Sequence, residues 1–237
     1  TDYGVLENLS SPEVIRPPDL VFAYERQDLA RWPNRYKGKV VDNHLFDPSI
    51  LIEDADCEHD QHQGQCTPKI DWFGYGQQNA PATWKRPKEI WLFARPYWQW
   101  NHWYFNLDRV DAAAKRFYFS AASRKQTHAG EPNYFGIRKK HPYFAFNILE
   151  ELDVEGEWYL DRQSGKLYYY PPANVSAGKL WFSVLDKPLV KIDGAKHIRF
   201  EALNLGLSRN DVVVVDSGEN IAFVGGRIFS GARRGAW

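Results

Sequence analysis

The chain has 237 residues, 43% apolar and 16% aromatic, enough to bury one large core or two small ones. Thirty basic and thirty acidic side chains cancel, which removes the electrostatic case for nucleic acid or an anionic membrane surface as a partner. The longest wholly aliphatic run, Val212-Val213-Val214-Val215, falls far short of the roughly 20 apolar residues that span a bilayer, so no transmembrane helix is expected.

In chain order, residues 1–19 read as a lead segment with no visible signal peptide at Thr1, and the absence of any Met points to a trimmed or partial product. Asn8-Leu9-Ser10 and, much later, Asn174-Val175-Ser176 are glycan acceptor sequons, which make Asn8 and Asn174 candidate glycosylation sites only in a eukaryotic secretory product, and such tripeptides often arise by chance. Residues 20–172 are aromatic-rich and alternating, with prolines and glycines at many of the breaks, and are expected to be β throughout. Arg31 and Trp32 read as a packing pair with the guanidinium on an aromatic face.

Cys57 and Cys66 flank the polar stretch "EHDQHQGQ", which contains Gly64 and reads as a loop. A disulfide there would contribute about 2–3 kcal/mol and imply an oxidising compartment. Cys57, His59, His62 and Cys66 also form a zinc-ligand set, but both histidines fall between the cysteines at an unfamiliar spacing, and unpaired thiols are the third state. The disulfide is the expected state, with no metal and no cofactor.

Trp91, Trp98, Trp100 and Trp103 cluster with Tyr97 and Tyr104. Sugar rings present apolar C–H faces that stack on exposed aromatics, while alternation on a strand is equally what a core requires. Half or more of the cluster is assigned to core, and Trp98, Trp100 and Trp103 are the candidate sugar contacts, with His102 as a hydrogen-bonded rim residue. Residues 107–119 hold two strands about a turn, and residues 146–152 a short helical turn. In "WYLDRQSGKLYYYPP" Trp158 and Leu160, then Leu167 and Tyr169, alternate about a Ser164-Gly165 turn, and Pro171-Pro172 closes a hairpin.

A repeat appears when the chain is shifted by 23 residues: "IDGAKHIRFEALNLGLS" from Ile192 matches "VDSGENIAFVGGRIFSG" from Val215. Ile192 aligns with Val215, Asp193 with Asp216, Ile198 with Ile221, Phe200 with Phe223 and Leu205 with Ile228. Short strands at a fixed period, with too little chain between them for a crossover helix, suit a solenoid in which each coil stacks on the last. Such a stack leaves an uncovered apolar end, so further coils of the same protein or another chain are expected to cover it. Arg209, Asn210, Arg233 and Arg234 lie at matching turns; Arg233 and Arg234 are candidate contacts to uronate or sulfate, although recurrence at a coil position is also what a solvated turn gives.

The segments "DLVFAYERQDLARWPN" (19–34), "IWLFARPYWQWNHWYFNLDRVDAAAKRFYF" (90–119) and "FNILEELDVEGEWYLDRQSGKLYYYPP" (146–172), with the repeats, resemble right-handed parallel β-helix proteins, many of them glycoside hydrolases or polysaccharide lyases, in which a small β-rich domain interrupts the first coils. The resemblance implies an all-β chain: lead segment 1–19, a sandwich- or barrel-like inserted domain 20–172, and the start of a parallel β-helix, two coils, at 173–237. It departs from that pattern in the cysteine-bearing insertion and in lacking a first coil before residue 19.

Glu150, Glu151, Asp153 and Asp161 invite a reading as a glycosidase acid pair. The resemblance instead places them where the inserted domain closes, with Gly156 and Gly165 in turns, Trp158 and Tyr169 in core, and the carboxylates capping amides or pairing with Arg162 and Lys166. It further implies a secreted, extracellular or periplasmic carbohydrate-active protein whose catalytic residues lie on later coils and whose partner is a polysaccharide. A non-catalytic glycan-binding scaffold is the alternative, and a zinc protein built on the Cys57–Cys66 loop a remote third.

Overall fold

A computed structural model describes residues 18–35, 50–55, 71–96, 103–128, 137–175 and 179–231. Cys57, Cys66, His59, His62, Asn8, Trp98, Trp100, His102, Arg233 and Arg234 lie outside these residues. Contacts divide the chain into two units, one of residues 29–161 and 165–170, the other of residues 1–28, 162–164 and 171–237. Among the described residues no helix is long and apolar enough to cross a membrane.

The fold is built mainly of strands, with one correction to the expectation of β throughout: Ala121–His128 is an α-helix. Its start is encoded locally. Ser120 Oγ accepts from the Ser123 amide at 3.3 Å and the Ser120 carbonyl from the Arg124 amide at 2.9 Å, an N-cap followed by two alanines of high helix propensity. Ser123 Oγ in turn accepts from the Asn106 amide at 2.7 Å, tying the helix to a strand.

The larger unit is organised by a seven-stranded sheet in the order Arg31–Trp32, Tyr143–Phe146, Trp91–Ala94, Trp103–Asp111, Arg116–Phe119, Trp72–Gly74, Asp54–Ala55. Every neighbouring pair is antiparallel, including the expected hairpin of Trp103–Asp111 with Arg116–Phe119. Period-2 alternation sends Phe73, Phe105, Leu107, Phe117, Phe119, Leu92, Tyr143 and Ala145 to one face, where they form the core. Phe73 is its hub, with ring centroids of Tyr143, Phe119 and Phe117 at 5.0, 5.6 and 5.7 Å.

Of the sandwich- or barrel-like expectation for this domain, the barrel is not what the described residues form: among them the terminal strands Arg31–Trp32 and Asp54–Ala55 are two residues long and do not pair with each other, so the sheet is not closed. The Arg31 guanidinium lies on an aromatic face as expected, but the face is that of Phe144, 3.8 Å to the ring centroid, and not Trp32, which the same alternation turns toward the core against Trp84.

Glu157–Asp161 and Lys166–Tyr170 form the expected hairpin, with Trp158 opposite Tyr169 and Leu160 opposite Leu167. Gly165, at φ 70°, takes the left-handed position of its turn. Burial is not shared as alternation suggested. All five residues of the first strand are buried, and those of the second are exposed except half-buried Tyr169. The first strand is flanked on its other edge, where the Ala30 amide donates to the Trp158 carbonyl at 2.8 Å, whereas the second is an edge strand. Residues 149–151 form a single 3₁₀ turn at the place of the expected helical turn.

In the other unit, Leu20–Phe22 pairs antiparallel with both Glu25–Arg26 and Leu180–Phe182. The two-residue loop of this hairpin has Ala23 and Tyr24 at φ 51° and 69°, as a type I′ turn requires, although neither is the usual Asn or Gly. The Tyr24 ring compensates by lying 5.0 Å from Trp181 and 5.6 Å from Phe229.

Downstream, Val190–Asp193 pairs with Val213–Asp216, Arg199–Glu201 with Ala222–Val224, and Asn204–Ser208 with Arg227–Gly231, all parallel. Every partner is offset by 23 residues, the shift read from the sequence. The corners repeat as well: Gly194 and Ser217, His197 and Asn220, Ala202 and Gly225, Leu207 and Ser230 are all left-handed. Phe200 and Phe223 stack at 4.6 Å with planes at 3°. Gly226 has no room for a side chain, because a Cβ would sit 2.0 Å from the Leu203 carbonyl oxygen, which accepts from the Arg227 amide at 3.1 Å and is thereby fixed. Phe223, Val224 and Ile228 are 36–39% exposed at one end of these rungs, around a shallow apolar recess.

Candidate functional site

The acidic segment was the first candidate for chemistry, and the structure gives its carboxylates local partners. Asp161 meets Arg86 at 3.0 Å. Arg86 also donates to the Tyr159 hydroxyl at 3.3 Å and lies 3.7 Å from Glu89, to which the Tyr159 hydroxyl itself donates. Glu151 accepts from the Trp84 indole N–H at 2.6 Å, and Asp153 from the Asn34 side-chain amide at 3.0 Å.

These contacts set the electrostatics. The hydrogen bond that Arg86 donates to the Asp161 carboxylate is the chief cause that raises the Arg86 guanidinium further above its ordinary range and keeps it charged. Burial, then the Glu89 hydrogen bond, pushes the Tyr159 phenol well above its ordinary range, the reverse of what an activated nucleophile needs. Burial also raises Glu151. A glycosidase pair requires one protonated acid and one free carboxylate facing a cleft, and a tyrosine and arginine wedged between Glu89 and Asp161 bind the 3₁₀ turn Pro87–Glu89 to the buried hairpin strand instead.

Sequence reasoning passed over Glu157, which is only 4% exposed. Its Oε1 accepts from the Arg31 amide at 3.2 Å and its Oε2 from the Asp153 and Val154 amides at 3.3 and 3.4 Å. Burial outweighs these three donors and lifts the carboxyl to about 7. A carboxyl enclosed by backbone amides meets no substrate. The spacing of the sequence carried no signal of this: alternation with Trp158 and Leu160 inward puts Glu157 on the opposite face, yet every residue of the strand is buried.

Of the aromatic candidates, Trp103 is half-buried, edge-on to Phe105 at 5.8 Å and packed on the core, and Trp91 is buried. Asn174 is exposed. At the turn after Asn204–Ser208, Arg209 is buried rather than on a solvated ladder, and Asn210 donates to the Asp186 carbonyl at 3.3 Å, so this turn is held by a segment 24 residues earlier.

A second aromatic surface emerges on the outer face of the seven-stranded sheet. Trp72 and Arg109 both pair in register with Tyr118. The Arg109 guanidinium lies 3.4 Å from the Tyr118 ring centroid and that of Arg116 3.6 Å from Trp72. Arg109 reaches Asp111 at 3.3 Å and Arg116 reaches Asp54 at 3.9 Å. The pattern Arg116-Phe117-Tyr118-Phe119, with both phenylalanines inward, was its sequence trace.

The sequence matches no protein-family model and no curated protein. A solved structure of a glycoside hydrolase is similar to it, with a TM-score of 0.55 and 17% identity over 86% of this chain and 33% of that one. The likeness is one of fold. This chain spans about a third of the length of that glycoside hydrolase.

Proposed function

We propose that this chain belongs to a secreted carbohydrate-active protein of the parallel β-helix type and that it acts on a complex polysaccharide. The observation that carries the reading is the 23-residue parallel register with its recurring left-handed corners, a pattern that successive solenoid coils would give. The likeness to a glycoside hydrolase supports it. Glycosidic bond cleavage is assigned to coils stacked beyond Val213–Gly231, whose exposed Phe223, Val224 and Ile228 offer the apolar end such a coil covers. A non-catalytic glycan-binding role is the second reading, favoured by the engagement of Glu151, Asp153, Glu157 and Asp161 in local contacts.

Incubation with a panel of plant and algal polysaccharides tests the choice, with reducing ends reporting hydrolysis and ultraviolet absorbance reporting the unsaturated products of a lyase. Cleavage supports the enzyme; retention on a glycan without cleavage supports the binding module. Neither retention nor cleavage across the panel would sink both.

A further inference from the structure

We propose that the outer face of the seven-stranded sheet binds the carboxylate or sulfate groups of an acidic polysaccharide through Arg109 and Arg116, each held flat on an aromatic ring, Tyr118 and Trp72. The inference rests on the carbohydrate reading above and names the glycan class. A guanidinium lying 3.4–3.6 Å from a ring centroid is fixed in plane, so its N–H edge is set before a ligand arrives and less side-chain entropy is lost on binding. Both side chains reach solvent, at 50% and 35% exposure. Each guanidinium carries five N–H donors, and among the described residues Arg109 pairs with Asp111 and Arg116 with Asp54, through one nitrogen each.

The spacing suits two anionic groups on one oligosaccharide. Trp72 and Tyr118 are directly opposed on neighbouring strands, about 5 Å apart at Cβ, which sets the two forks side by side. The rings supply apolar edges for sugar C–H groups. Duplex nucleic acid, with one charge per about 1.7 Å of axis, fits poorly against two arginines flanked by Asp54, Asp71 and Asp111, a surface that has place for one or two separated anionic groups and not for a dense row of them. The hydroxyls of a neutral glycan also accept from guanidinium N–H groups, but without the charge assistance that a carboxylate or sulfate supplies.

Affinity electrophoresis of the full chain through gels holding polygalacturonate, a sulfated galactan or neutral xyloglucan tests the proposal. Retardation is expected in one or both acidic gels and not in the neutral one, the two acidic arms separating carboxylate from sulfate. Arg109→Gln with Arg116→Gln is expected to weaken retention about tenfold or more, the loss of charge-assisted hydrogen bonds. The Arg199 control, Arg199→Gln with Lys191→Gln, removes the same two positive charges from exposed positions of the other unit and should leave it unchanged. The Lys pair, Arg109→Lys with Arg116→Lys, keeps charge and stem but loses the fork, so intermediate retention is expected. Should the Gln pair fail to fold, the Lys pair decides, together with galacturonate or a sulfated monosaccharide moving the Trp72 indole N–H resonance of the unaltered protein. Equal retention by the Gln pair, or equal loss in the Arg199 control, overturns the proposal. Retention on xyloglucan alone overturns it while leaving the carbohydrate reading intact, and failure on all three gels counts against both.

Discussion

Phe200 and Phe223 lie face to face 4.6 Å apart, one directly above the other on strands paired in parallel. The contact exists only if the two 23-residue rungs keep their register. A double-mutant cycle to Ala at both positions should therefore return a coupling of about 0.5–1.5 kcal/mol, read from urea denaturation. Additive losses would mean that the rings do not stack in solution.

The left-handed corners carry strain that glycine relieves. Ala202 occupies the corner that Gly225 occupies one rung later, at φ 56° against 68°. Ala202→Gly is expected to stabilise by about 0.5–1 kcal/mol, the relief of a left-handed L-residue less the added chain entropy of glycine, and Gly225→Ala to cost about 1 kcal/mol. Gly226→Ala should cost more than either, since the Leu203 carbonyl blocks its Cβ. Thermal unfolding midpoints of the three variants give the order, and a neutral Gly226→Ala would contradict the close approach.

Glu157 links stability to pH. Its carboxyl titrates near 7 when folded and near 4.5 when unfolded, so between these values the folded protein holds a proton that the unfolded chain has released. Its contribution is fully present below about pH 4.5, is lost as pH rises toward 7, and is flat above, a change of up to about 3 kcal/mol. Comparing unfolding free energies of the unaltered protein and Glu157→Gln from pH 4.5 to 8 isolates this group. The difference should shift in favour of the variant as pH rises, and parallel curves would show that Glu157 titrates normally.

Tyr159 tests whether the acid cluster is a strut. Tyr159→Phe removes the hydroxyl that joins Glu89 to Arg86 and should cost about 1–3 kcal/mol of unfolding free energy, with an unchanged denaturant slope. A variant of unaltered stability that lost activity on a polysaccharide would return the cluster to the chemistry.

What the sequence disclosed follows from how local each signal is. Repetition at 23 residues and the Ser164-Gly165 turn are encoded by near neighbours, and the partners of both appear in the predicted register. Ser120-Ala121-Ala122 announced a helix that the surrounding aromatic strands obscured. Burial of Glu157, by contrast, is decided by amides of Arg31, Asp153 and Val154, the first of them 126 residues away, and no spacing reports such a contact. The stacking of Arg109 on Tyr118 likewise needed the bulge between Leu107 and Arg109, which moves the arginine onto the outer face.

Because all four corners recur at the same interval, the rungs tolerate length change only in whole steps. Duplicating residues 192–214 would add a rung whose phenylalanine continues the column begun by Phe200 and Phe223. Inserting one residue between Ala202 and Leu205 would instead turn every inward side chain of that strand outward. Growth by tandem copying is thus written into the geometry of this segment, and drift by single residues is shut out of it.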